Sequence, residues 1–136
     1  MKKRDANGNV PAIERYDGPA FRVLRRYLRN NRHSDLTVHI LSAKFGFVKS
    51  DRRIPNYDMR LTRDRSVELQ DTTRHQLEQI MHEKPWDQIG ISLSREYFAL
   101  VADGIREANV LGTIASLDGG LGKRLTALKA WLESRA

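Results

Sequence analysis

The chain has 136 residues, 40% of them hydrophobic and 30% charged, and no cysteine. That balance fits one ordinary globular domain and excludes intrinsic disorder. The missing cysteines exclude disulfides, thiolate catalysis and Cys-ligated zinc or iron–sulfur centres. The formal charge of +7 is uneven: residues 1–65 carry sixteen basic and seven acidic side chains, residues 66–136 eight and ten. A basic half suits a face that meets phosphates, although an arginine-rich solvated surface gives the same count.

Residues 1–17 read as irregular, with Asn7-Gly8, Gly8-Asn9 and Val10-Pro11 as turn signals. The basic start, Met1-Lys2-Lys3-Arg4, has no apolar h-region behind it, and no stretch approaches the roughly 18 apolar residues of a membrane span. No membrane partner is expected, and a cytoplasmic location is the default. Asp17-Gly18-Pro19 opens a helix to about Asn30, with Phe21, Leu24, Tyr27 and Leu28 at helical spacing. Residues 36–41 are an apolar, β-branched run and read as a buried strand, followed by a polar loop to about Arg65.

A second helix is predicted over 66–83, stopped by Pro85, and a short strand over 86–91. Ser94 then caps a helix to about Ala108, 110–117 is a third strand, and 118–122 is a glycine-rich turn before a last helix over 123–134. This alternation predicts an α/β fold: a small three-layer domain with a mostly parallel sheet and crossover helices.

A hydrophobic strand that ends in small, cationic and aromatic polar residues is how such folds place reactive groups at the carboxyl edge of the sheet. Ser42 and Ala43 permit close approach of a ligand, Lys44 can meet a phosphate or carboxylate, and Gly46 can take a positive φ. Pro55-x-Tyr57-Asp58 adds a rigid turn, a stacking ring and an acid. In a catalytic version Asp58 is the acid/base and Lys44 assists it; in a plain loop Tyr57 packs on the core and Asp58 caps a neighbour.

Arg52, Arg53, Arg60, Arg63 and Arg65 surround Tyr57 in the basic-plus-aromatic style of single-strand or RNA binding. Gly119 and Gly120 lie ahead of the last helix, where glycine amides beside Lys123 and Arg124 make an anion site. Their spacing is neither a Walker pattern nor a dinucleotide fingerprint, and a strand-to-helix turn is the plainer reading. His75 and His82 stand two helical turns apart, so no metal and no cofactor are expected.

The pattern Leu41-Ser42-Ala43-Lys44-x-Gly46, then Ile54-Pro55-x-Tyr57-Asp58-x-x-Leu61, resembles the signature of the YaaA-like (peroxide-stress protein) superfamily. It is most similar to a compact branch of unknown function, whose Y-x-G-P-x-F helix opening resembles Tyr16-Asp17-Gly18-Pro19-x-Phe21. Trp86-Asp87, Ser94-x-x-Tyr97 and the Gly119–Gly122 turn fit the same branch, so the resemblance spans roughly residues 13–132.

It implies that Tyr16 and Gly18 join Ser42, Gly46 and Tyr57 in ligand binding. The superfamily is similar in fold to uracil-DNA-glycosylase-like and archaeosine-type tRNA-modifying domains, and its namesake is associated with oxidative stress, iron control and DNA binding. Nucleic acid or nucleotide partners are implied by that analogy. Members of the branch usually begin with a strand that is not evident in residues 1–12, so these residues are expected to be poorly anchored or to swap onto another chain, and an uncovered sheet edge to pair in a homodimer. The expected function is nucleotide, nucleobase or nucleic-acid binding at the carboxyl edge. The alternatives are an N-glycosidase or base-modifying enzyme, and a non-catalytic stress-response interaction protein.

Overall fold

The computed structural model describes residues 8–107, 113–116 and 121–134. The chain opens with a two-residue strand, β1 (Val10–Pro11), and one helical turn, α1 (Ala12–Arg15). Helix α2 (Pro19–Asn30) follows, with Pro19 at its first turn where a missing N–H costs nothing. Strand β2 (His39–Ser42) turns back at once into β3 (Gly46–Lys49), and β4 (Arg53–Ile54) pairs with β1. Helix α3 (Arg63–Glu83) starts three residues before Ser66 because the Thr62 hydroxyl accepts the Arg65 N–H at 3.1 Å and caps it. Then come β5 (Gln88–Ile91), α4 (Arg95–Glu107), β6 (Thr113–Ser116) and α5 (Leu121–Ser134).

The expected three-layer domain with a mostly parallel sheet is not what forms. Among the described residues the strands pair in three separate two-stranded ladders: β1–β4 and β2–β3 antiparallel, β5–β6 parallel. Two causes account for the difference. The segment read as one long loop holds two return strands, since Gly46 adopts φ 72° and folds the chain back with Ser42 opposite Gly46 and His39 opposite Lys49. In addition, β2 and β5 share no ladder, so the α–β alternation does not close into one sheet.

Three apolar clusters stabilise this arrangement. Ala12, Tyr16, Ile40, Val48 and Ile54 bury one where the two antiparallel ladders meet α1. Leu69 and Leu77 of α3 pack on Leu41 and on Leu100 and Val101 of α4. Leu128 and Leu132 of α5 pack on the apolar stripe of α2. Arg15 is fully buried in the first region, and its guanidinium donates to the Gly8 carbonyl at 2.6 Å and the Ile54 carbonyl at 3.3 Å. A buried cation needs such acceptors, and here they tie the N-terminal segment to β4.

Candidate functional site

The β2–β3 turn, residues 43–45, is fixed from two sides. Ser42 Oγ accepts the Phe45 N–H at 2.9 Å and donates to the Gly46 carbonyl at 3.2 Å. From α3, Gln76 Oε1 accepts the Phe47 N–H at 2.8 Å while its amide nitrogen donates to the Phe45 carbonyl at 3.2 Å. Arg65 adds two charge-assisted bonds, from Nε to the Ala43 carbonyl and from Nη2 to the Lys44 carbonyl, both 2.7 Å. Gly46 is required on two counts: its positive φ, and the Gln76 side chain that occupies the space a Cβ would take.

Beside this turn stands a group of phenols. Tyr16 stacks on Phe21 with ring centroids 5.1 Å apart and shares a hydrogen bond with the hydroxyl of Tyr57, forty-one positions away. Tyr57 meets Phe45 edge-on at 5.6 Å. Burial, followed by the Tyr57 hydrogen bond, pushes the Tyr16 phenol far above the ordinary tyrosine range, while the Ser42 hydroxyl acts in the opposite direction. Burial likewise raises Tyr97, with Tyr57 adding to the effect. The Tyr16 and Tyr97 phenols are therefore neutral donors and acceptors at physiological pH, suited to hydrogen bonding and not to proton abstraction.

Tyr16, Ser42, Tyr57 and Tyr97 are among the polar residues that line a cavity of about 510 Å³. That is in the range of small-molecule sites. Lys44 is exposed and does not itself border the cavity, but its ammonium lies 5.7 Å from the ring centroid of Tyr57, which does, and 5.5 Å from that of Phe45. The Arg52 guanidinium lies 5.6 Å from the other partner of this pair, Phe45.

Asp58 is exposed, does not border the cavity, and makes no hydrogen bond or ion pair among the described residues. Gly18 is the N-cap of α2, and its carbonyl accepts the Phe21 and Arg22 amides. Arg53 donates to the Asn9 carbonyl at 2.9 Å, so it joins strands, as Arg65 joins turn to helix. Arg60 and Arg63 are exposed. Gly119 and Gly120 lie outside the described residues.

Two residues that position the site were not singled out from sequence. Gln76 is one. Arg25 is the other: it donates to the Ile13 and Tyr16 carbonyls at 2.9 and 2.7 Å and to Asp17 at 3.1 Å, fixing the backbone from which the Tyr16 ring projects. No local pattern distinguishes either from an ordinary helix-surface residue.

Residues 1–130 match a family of unknown function, DUF6884. The chain belongs to that family. No curated protein and no solved structure matches it. Among the described residues of this DUF6884 chain, no helix is long and apolar enough to cross a membrane.

Proposed function

We propose that this DUF6884 protein binds a nucleotide, or a ligand carrying a nucleobase and a phosphate, at the phenol-lined part of the cavity. The observation that carries the reading is the juxtaposition of Tyr16, Tyr57 and Ser42 with the exposed ammonium of Lys44 above the Tyr57 ring. Hydroxyls read the edge of a base, aromatic rings take its face, and a cation beside the Tyr57 ring takes a phosphate. Lys44 makes no ion pair among the described residues, which leaves its charge available to a ligand.

The resemblance to YaaA-like proteins rests partly on the same residues and belongs to this proposal, as does a cytoplasmic, stress-linked role. Longer nucleic acid remains part of it through Arg52, Arg60 and Arg63, which are exposed on the same basic segment. A base-modifying enzyme is the weaker version, because Asp58 does not border the cavity.

Calorimetric titration of the full chain with AMP, UMP, the parent nucleosides and inorganic phosphate tests the reading. A mononucleotide should bind saturably and lose about tenfold in affinity in Lys44→Ala, with a smaller loss in Tyr57→Phe, the scale of one charge-assisted contact. A short single-stranded oligonucleotide run at several salt concentrations measures any backbone contribution. No saturable binding by any of these at millimolar concentration would overturn the proposal.

A further inference from the structure

Two continuous stretches of chain border the same cavity, and apart from Ser42 they take no part in the phenol site. Residues 35–42 and 88–94 border it without a gap. A strand that presents a face to a cavity contributes alternate residues; one that presents its open edge contributes consecutive ones. β2 uses its ladder on β3 and β5 its ladder on β6, so each has one edge with no strand partner among the described residues.

The packing around the cavity is correspondingly incomplete. Leu77 and Val101 of the α3–α4 cluster border it on one side, Leu128 and Trp131 of the α2–α5 cluster on another, and the two clusters remain separate. No residue of α2 is buried despite its strongly one-sided apolar face, and no residue of β5 is buried either. His39 borders the space with a buried Nε2 that has no hydrogen-bond partner. Asp35 and Arg124 are the only acidic or basic side chains, histidine aside, among the described residues of the lining.

We infer that this space is a docking slot for one extended peptide strand, uncharged and apolar on both of its faces, pairing with the open edges of β2 and β5. The edge backbone supplies rows of N–H and C=O groups that a strand satisfies and an apolar small molecule does not. Apolar helices on both sides require a continuous Val/Ile/Leu run in place of an alternating one. The bordering stretch 35–42, whose last four residues are β2, is about 23 Å long when fully extended, so six or seven residues fill it. His39–Ser42 and Gln88–Ile91 already pair, and residues 1–7 include Lys2, Lys3, Arg4 and Asp5, so the occupant is an apolar segment other than these.

Trp86 and Trp131 both border the slot and are the only tryptophans of the chain, which makes binding visible without a label. The full chain is titrated with the blocked peptide Lys-Val-Ile-Val-Leu-Val-Lys, and amide exchange is followed by NMR. The expected result is a saturable blue shift, with exchange at 37–41 and 88–91 slowed at least tenfold. The same peptide with its central valine changed to proline should bind at least tenfold more weakly. No saturable shift up to millimolar peptide, or equal binding of the proline peptide, would overturn the inference. So would a concentration-dependent dimer that protects the same amides without peptide, since a second copy would then fill the slot. Nucleotide titrations run separately, so failure of the peptide alone leaves the nucleotide reading standing.

Discussion

Arg65 separates a structural role from a phosphate-binding one. Its guanidinium holds two carbonyls of the β2–β3 turn at 2.7 Å and Glu68 at 3.1 Å, with the side chain about a quarter exposed. Hydrogen bonds from a charged donor contribute about 1.5–3 kcal/mol each when well buried, and partial exposure lets water replace part of that. We expect Arg65→Ala to cost about 2–3 kcal/mol, or roughly 30- to 150-fold in the folding constant. Arg65→Lys, a point donor without the planar fork, should lose about half as much. Arg63, exposed at the first position of α3, serves as control: Arg63→Ala should fall within about 0.5 kcal/mol of wild type, because a cation there opposes the helix dipole. Urea unfolding followed by tryptophan fluorescence gives all three values. If Arg65→Ala costs no more than Arg63→Ala, the turn does not depend on Arg65 and its charge is free for a ligand.

Burial lowers the pKa of His39, with Glu83 opposing and Lys49 adding to the shift, so the folded state releases its proton more readily than the unfolded chain. Stability should therefore be full above the unfolded value of about 6.5 and fall as pH drops below it; His39→Phe should flatten the urea midpoint between about pH 6.5 and 5.5, and substitution of the exposed His33 should not. Gly46→Ala combines a positive φ with a side chain directed into Gln76, and should cost about 2–3 kcal/mol by the same unfolding assay. Gly122→Ala, with nothing within 4 Å of its added methyl, should be neutral or stabilising by up to about 1 kcal/mol.

The helices were legible because their apolar residues recur every three to four positions and their ends carry chemical signals, such as Pro19 at the start of α2 and Pro85 after α3. The hairpin was not, because Gly46-Phe47-Val48-Lys49 is only four residues long and is followed by Asp51, Arg52 and Arg53, which read as solvated loop. Strand pairing was misjudged for a related reason. Alternating helices and strands predict a parallel sheet only if successive strands become neighbours, and a tight glycine turn gives β2 an antiparallel partner first. At the site, the composition of the Ser42–Tyr57 segment pointed to the stretch in which Ser42 and Tyr57 border one cavity. The Tyr16–Tyr57 contact and the clamps from Gln76 and Arg65 span twenty or more positions, and no local rule reaches that far.

Hairpin tips are ordinarily where a lineage experiments, since an inserted residue there disturbs nothing else. The tip at 43–45 has lost that freedom, because three consecutive carbonyls, from Ala43 to Phe45, are each held by a side chain of α3. Its length is locked to a helix whose opposite ties, through Leu69 and Leu77, are to the apolar interior. Change at this end of the molecule is therefore channelled into side-chain identity at position 44, the one member of the turn that is exposed, and away from loop length.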